Sequence, residues 1–562
     1  MNTYIETRAI EIHDTQTMWN PQKMKKIVDF MVRYHMNTLI LHENDIVDKV
    51  VFPAMLYTSE KTDGNIYGIY QKIYEKIYEM TPSPFVFCDE KGIFVELLRK
   101  IIRDATSRGI RVFLQTKELW HSDLLYHSPV AHDGILCPTD PFWWESYLPA
   151  KYTELFETFP ELSGIVTSTG TRESRTSLAH GRCKCERCQK ADLHEWQKKI
   201  IMAIYGPIKK YEKQLVVRDF TYYASEQEGL RAGVLELPDD VVVSIKNTPQ
   251  DFYPTFPDNK LIGHVDPHEQ WIEYEVMGEY FGFGVLPCSL IEDIRHRIKY
   301  ALAHGAKGFT ARVDWEALPN HSVFDTINAL NVYACAMLSL DSDLPAKDLY
   351  EAWLSDYELF APGLTKQEKR DCIEKLASCV ESSWDVIRQS CYINGYLFSS
   401  NSKIPADIRH GMFLAREHHG MQKWFPEREH DFDMTKENIQ NFVEEKEAAV
   451  RLADSLYAQI RHENPGLRED YYEQLVRQFE LTVLYTEQFR CVALVFLNAV
   501  GKEALNDKAG AFEALHLLTV FEKRLKEYRF PVFDYPASVL LSYEKLHYFR
   551  LDAERVLKEL YA

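Results

Sequence analysis

Residues 96–116 read ELLRKIIRDATSRGIRVFLQT. In Glu96–Ser107 the apolar residues recur three and four positions apart, the spacing of a helix with one buried face. Gly109 follows as a helix stop. Arg111–Thr116 then becomes a near-continuous apolar run, the pattern of a parallel strand covered on both sides. A helix, a glycine and a buried strand in so short a span make the second half of a βαβ unit.

The same alternation extends in both directions. Strands are expected at Arg8–His13, Asn37–His42, Arg111–Thr116, Gly164–Ser168, Gln214–Phe220 and Val241–Asn247, within Leu261–Val276, and at Gly308–Val313. Pro21–Tyr34 is a plain helix, and a second glycine stop precedes the last strand (AHGAKGFTA, 303–311). Eight alternations predict an α/β fold, a (β/α)8 TIM barrel over residues 1–340. An open doubly wound sheet would need a G-x-G-x-x-G after the first strand, and none is there. From about residue 322 the pattern turns helical, as in Ile439–Arg461 and Asp470–Ala499, which predicts an α-helical C-terminal domain over 341–562. His410–Pro426 (HGMFLAREHHGMQKWFP) interrupts those helices. It reads either as a connection or as a loop returning over the barrel mouth.

A net charge of −19 argues against nucleic acid as a partner, because phosphate contacts need a basic surface. An anionic ligand would require a local basic pocket. Aromatic residues make up 13% of the chain, which suits stacking on sugar faces and equally suits a large core. Residues 1–20 show no secretory pattern, and no run of 18 apolar residues suggests a membrane span. The 11 cysteines are an odd and mostly scattered set. Together these predict a cytoplasmic protein.

Catalytic groups of a barrel come from the C-terminal ends of its strands. Those positions hold His13, Asp14, His42, Glu43, Lys117, Glu118, Arg172, Glu173, Arg218, Lys246, Asp251, Glu275, Glu279, Arg312, Asp314 and Trp315. A rim this rich in carboxylates, cations and aromatics points to a sugar site. Glycoside hydrolysis needs two carboxyl functions in different protonation states. Glu173, Asp251 and Glu279 are best placed to supply them.

At these residues the chain resembles the xylan α-glucuronidases, glycoside hydrolase family 67, over roughly residues 8–355. Val243–Pro254 (VSIKNTPQDFYP) resembles the family's Lys-Asn-Gly-Pro-x-Asp-Phe-x-Pro motif, with Thr248 in place of the glycine. The resemblance implies that Lys246 meets a substrate carboxylate and that Asp251 is a general base. Glu273–Gly282 (EYEVMGEYFG) resembles the run carrying the partner base, which falls on Glu279. Cys137–Gly170 resembles the approach to the general acid, which falls on Glu173. The family's lysine shortly before that acid is Ser168 or Thr169 here, a role Arg172 or Arg175 would have to fill. Arg218 matches an arginine that contacts the uronate. Gly308–Leu340 resembles the last strand end, bringing Asp314, Trp315 and His321. The family's N-terminal β-domain has no counterpart. The implied function is an inverting, exo-acting removal of a uronic acid from an oligosaccharide, with no cofactor required.

Two other readings compete. A substrate-assisted hexosaminidase-like barrel needs an adjacent Asp-Glu pair after strand 4, which Gly170–Glu173 lacks. A non-catalytic carbohydrate-binding barrel would not need the three carboxylates to converge. The expected partner is an anionic oligosaccharide, with neither nucleic acid nor membrane, and a homodimer is the assembly expected. Separately, Cys183, Cys185 and Cys188 form C-x-C-x-x-C (HGRCKCERCQ, 180–189). With a fourth ligand such as His180 or Cys288 they would hold a structural zinc; free thiols or a local disulfide are the alternatives.

Overall fold

The computed structural model describes residues 4–51, 85–121, 125–126, 131–132, 134–169, 171–219, 224–418, 420–530 and 534–562. Phe220, expected at the end of the fifth strand, lies outside them. Eight parallel strands close a barrel. They are β1 (Thr7–Ile12), β2 (Thr38–His42), β3 (Arg111–Thr116), β4 (Gly164–Thr167), β5 (Gln214–Arg218), β6 (Val242–Lys246), β7 (Gln270–Glu275) and β8 (Gly308–Arg312). Closure is made by β1, which pairs with β2 on one side and with β8 on the other, Ala9 standing opposite Thr310 and Glu11 opposite Arg312. A helical region follows, as the sequence predicts.

Helices α1 (Pro21–Arg33), α2 (Phe85–Ser107), α3 (Leu148–Thr158), α4 (Leu193–Lys210) and α5 (Ala224–Leu235) alternate with the first strands. Their starts are chemically marked. The Asn20 side chain accepts from the Gln22 and Lys23 amides ahead of α1, and Asp192 does the same for α4. Between β6 and β7 no helix is present among the described residues; the chain crosses in turns. Helix α6 (Ile291–Ala303) precedes β8.

The barrel interior is built in layers. Ala9, Ile40, Phe113, Val166, Val216, Val242 and Trp271 form one buried cluster, one residue from each of seven strands. Trp271 is its largest member, set edge-on to Phe113 at 5.5 Å. The eighth strand makes room for it with Gly308, where a Cβ would lie 2.3 Å from the indole.

The chain divides into two compact units: Met1–Lys246 with Asn259–Tyr274 and Ala301–Asn320, and Asn247–Asp258 with Glu275–Tyr300 and His321–Ala562. The second unit is organised by helix α7 (Glu469–Val500), which packs against Lys436–His462, Lys508–Glu527 and Tyr543–Leu560. Among the described residues α7 alone is long and apolar enough to cross a membrane, but two thirds of that window (67%) is buried by its neighbours, as in the central helix of a bundle.

The close approach at Gly308 yields a prediction. Gly308→Ala should lower stability by about 1–3 kcal/mol, because overpacking forces the indole or the strand to move. Urea unfolding followed by Trp fluorescence measures it, and a simultaneous Trp271→Leu change should recover part of the loss.

Candidate active site

One step beyond the apolar layer, toward the C-terminal ends, the same-face residue is polar on all seven contributing strands, and Arg312 of β8 stands level with Glu11. These residues are Glu11, His42, Gln115, Ser168, Arg218, Ser244, Glu273 and Arg312, and every one is buried. Seven of them are linked across strands in two groups, while Arg312 donates to the Asp314 carbonyl and the Glu316 carboxylate. Arg218 donates twice to Glu273, Nε to Oε1 at 2.7 Å and Nη2 to Oε2 at 2.5 Å, while the Ser244 hydroxyl donates to Oε1 at 2.6 Å. His42 Nδ1 lies 2.7 Å from Glu11 Oε1, and Gln115 donates to the same oxygen. Glu273 thereby neutralises the Arg218 charge that burial would otherwise make costly. Arg218, which the resemblance matches to an arginine that contacts the uronate, is thus paired with Glu273.

Above this ring His13 stacks on His42 with ring centroids 3.7 Å apart. Burial pushes both imidazoles well below the usual histidine range, and the charges of Lys117, Arg218 and Arg312 push the same way. Both rings are thus neutral at pH 7. With Glu11 fixing a proton on Nδ1, His42 Nε2 is an acceptor, buried and without a hydrogen-bond partner among the described residues. Asp314 is fully buried, and its carboxyl accepts from the His13 amide. Burial raises its pKa to about 8, although that amide bond opposes the shift. Trp315 beside it is also buried.

Glu173 sits in a long connection held by its neighbour strand. The Ser174 hydroxyl donates to the Glu118 carbonyl at 2.7 Å, and the Arg175 and Thr176 amides both reach the Leu119 carbonyl. Glu118 is itself anchored by Lys151, a fully buried lysine that also pairs with Asp48 at 2.7 Å. The Glu173 carboxylate is ion-paired with Lys117 and remains partly exposed. Burial holds the Lys117 ammonium below its ordinary value, with Glu173 acting in the opposite sense. Arg172 is exposed, and its carbonyl accepts from His180 Nε2. Lys246 is buried, and its charge partly offsets the upward push that burial gives Asp219.

In the second unit Asp251 and Glu279 share a neighbourhood. Burial raises the Tyr253 phenol well above its usual value, and both carboxylates add to that rise. Tyr253 meets Tyr280 edge-on at 4.6 Å. Asp251 adopts a left-handed backbone (φ 42°), and Thr248, standing at the motif's glycine position, donates its hydroxyl to the Asp251 carbonyl at 2.9 Å. Asn401 donates to the Glu279 carboxylate, and Ser402 donates to its carbonyl. Lys403 is brought down to about 8 by burial, to which Lys545 adds while Glu279 opposes. Trp424, from the His410–Pro426 segment, donates its indole N–H to Gln250 at 3.2 Å, next to Asp251.

Sequence reasoning missed Glu11, Gln115, Ser244 and Glu273, although a period of two counted from the buried strand positions picks them out. Asn401 and Lys403 carried no signal, since only tertiary structure brings them to Glu279. Among the cysteines, the sulfurs of Cys183, Cys185 and Cys188 gather with that of Cys137, all within 4.8 Å. Neither His180 nor Cys288 is the fourth member. Cys288 is buried beside Cys391 in the second unit.

No protein-family model and no curated protein matches the sequence. Solved structures do. At 13% identity and a TM-score of 0.61, 97% of this chain aligns with 67% of a GH138 enzyme targeting pectin rhamnogalacturonan II. An O-GlcNAc hydrolase of Thermobaculum terrenum aligns at 14% identity and a TM-score of 0.44, over 99% of this chain and 95% of that one. A family GH115 4-O-methyl-α-glucuronidase with specificity for decorated arabinogalactans aligns at 12% identity and a TM-score of 0.44, over 99% and 62%. The first likeness is one of fold: a closed barrel of eight parallel strands followed by a helical region. It does not single out family 67.

Two predictions follow from the buried charges. Removing the partner of Arg218 with Glu273→Ala should cost about 3–5 kcal/mol in a denaturant titration, because it strands a charge inside the barrel. For Asp314 the folded state holds a proton from the ordinary aspartate value of 3.8 up to about 8. The unfolded state has lost it across that window, so this group's stabilising contribution falls as pH rises, by at most about 1.4 kcal/mol per pH unit. Asp314→Asn should flatten that slope in thermal melts taken between pH 4 and 8; an unchanged slope would assign it to other groups.

Proposed function

We propose that this chain is an exo-acting, inverting glycoside hydrolase that removes a uronic acid from an oligosaccharide. The observation that carries the reading is the set of three buried cations, Lys117, Arg218 and Arg312, acting on the neutral His13–His42 pair at the C-terminal ends of the strands in a chain of net charge −19. Lys117 pairs with Glu173, Arg218 with Glu273 and Arg312 with Glu316, so an anionic sugar is recognised here by exchange with the Glu173 and Glu316 carboxylates. The unpartnered acceptor on His42 suits a sugar hydroxyl.

In this reading Glu173 protonates the glycosidic oxygen as the bond to the anomeric carbon breaks. The family resemblance gives Asp251 and Glu279 the part of the base that takes the proton of the attacking water. Arg218 is committed to Glu273, so its part is to keep the ring of buried groups in place. Contact with the uronate falls to Lys117, Lys246 and Arg312, with Asp314 and Trp315 shaping the last strand end and Arg172 at the exposed edge. Lys117 gives the acid a substrate-dependent switch: a uronate carboxylate that draws the ammonium away from Glu173 leaves Glu173 able to carry the proton. The chemistry uses carboxylates alone and takes no cofactor.

Aldobiouronic acids with an α-linked uronate test this directly, with released uronate as the readout. Asp251→Asn and Glu279→Gln should each lower kcat by about 10²–10⁴-fold on every substrate. Glu173→Gln should do so on the natural linkage yet recover with aryl uronides whose leaving group needs no proton. Lys117→Met should chiefly raise KM for uronides. Wild-type protein that releases N-acetylhexosamine and no uronate, or carboxylate variants as fast as wild type, would end the proposal.

A further inference from the structure

The connection from β4 to α4 is long, and after its ties to Glu118 and Leu119 its second half, residues 181–190, has little to anchor it. Over residues 181–190 only Cys188 is buried, and the regular structure from 168 to 192 is one turn at Leu178–His180 and a five-residue helix at Glu186–Lys190. A segment with so little apolar surface to bury needs another source of order. The four sulfurs supply a candidate. Cys137 Sγ lies 3.6 Å from Cys185 Sγ and 3.5 Å from Cys188 Sγ, and all four Sγ atoms fall within 4.8 Å of one another. Tetrahedral thiolates at about 2.3 Å from zinc stand about 3.8 Å apart. Disulfide sulfurs would be at about 2.05 Å.

We propose that Cys137, Cys183, Cys185 and Cys188 bind one structural Zn²⁺, and that this ion staples the connection after β3 to the connection after β4 that carries Arg172 and Glu173. The surroundings fit a tetrathiolate. The Cys188 amide donates to Cys185 Sγ, and the Thr139 hydroxyl lies 3.2 Å from Cys188 Sγ and 3.3 Å from Cys137 Sγ, so thiolate lone pairs have donors beyond the metal. Four thiolates around a divalent ion leave two negative charges, and Arg182, Lys184, Arg187 and Lys190 are interleaved with the cysteines. The Cys137 end is fixed to the body of the unit: Trp143 donates to the Cys137 carbonyl at 2.9 Å and Trp196 to the Pro138 carbonyl at 2.7 Å. From the Cys183 end the order is passed on through His180, which holds the Arg172 carbonyl.

Elemental analysis of the full chain, purified without added metal, should find about one zinc per chain. A mercurial that titrates the four thiols should release it. Cys137→Ser and Cys188→Ser should each lose the metal, while Cys372→Ser should keep it. Cobalt-loaded wild type should show the thiolate-to-metal and visible bands of a tetrahedral tetrathiolate, which decides the matter even where a cysteine variant fails to fold. On chelation, hydrogen exchange should rise across residues 168–192 and stay unchanged in the strands. Metal-free wild type, a full complement of zinc in Cys137→Ser, a cobalt spectrum of lower sulfur count, or unaltered exchange over 168–192 would each overturn the proposal. None of these readouts depends on uronidase activity.

Discussion

A charge placed inside a barrel has to be neutralised by a neighbouring strand, because no water is there to do it. Everything distinctive in the first unit follows from how this chain meets that requirement. The apolar layer around Trp271 closes one end of the barrel. Directly beyond it seven polar side chains are linked in two groups, with Arg218 held by Glu273 and His42 by Glu11. This ring is expensive unless complete, since a half-satisfied network costs more than an apolar one. His42 Nε2 is its open position among the described residues, and the His13 ring stacks against that imidazole.

The same economy governs the connections. Glu173 lies well outside the strand that precedes it, yet its neighbours are tied to Glu118 and Leu119, and Glu118 is tied to a lysine that solvent never reaches. Asp251 is held by a different device. Its backbone takes a left-handed turn that aspartate tolerates better than most residues, with a threonine hydroxyl closing the turn. Rigid support for groups that must keep a set orientation is what a preorganised site requires.

The strands were legible because parallel strands buried on both faces leave continuous apolar runs, and RVFLQT or TLILH has few other readings. β7 was harder to locate. In QWIEYE the glutamates alternate with aromatic residues, and no helix precedes it to mark its start, so the pattern alone placed it only within a wide window. Placement at a strand end was legible, as with His42, Lys117 and Arg218. The site was not legible where the role depends on register, as with Glu273 beneath Arg218, or on distant chain segments, as with Asn401 beside Glu279. Cys137 illustrates the limit: 46 residues before Cys183, it has no spacing signature, and only the fold brings it to the other three.

The chain passes between its two compact units five times, at Lys246, Asp258, Tyr274, Tyr300 and Asn320. Neither unit is therefore a cassette. No single scission frees one from the other, and recombination at one boundary would import an incomplete barrel or an incomplete bundle. Inheritance of such an architecture is all or nothing: substitutions can retune it residue by residue, but modules cannot be exchanged.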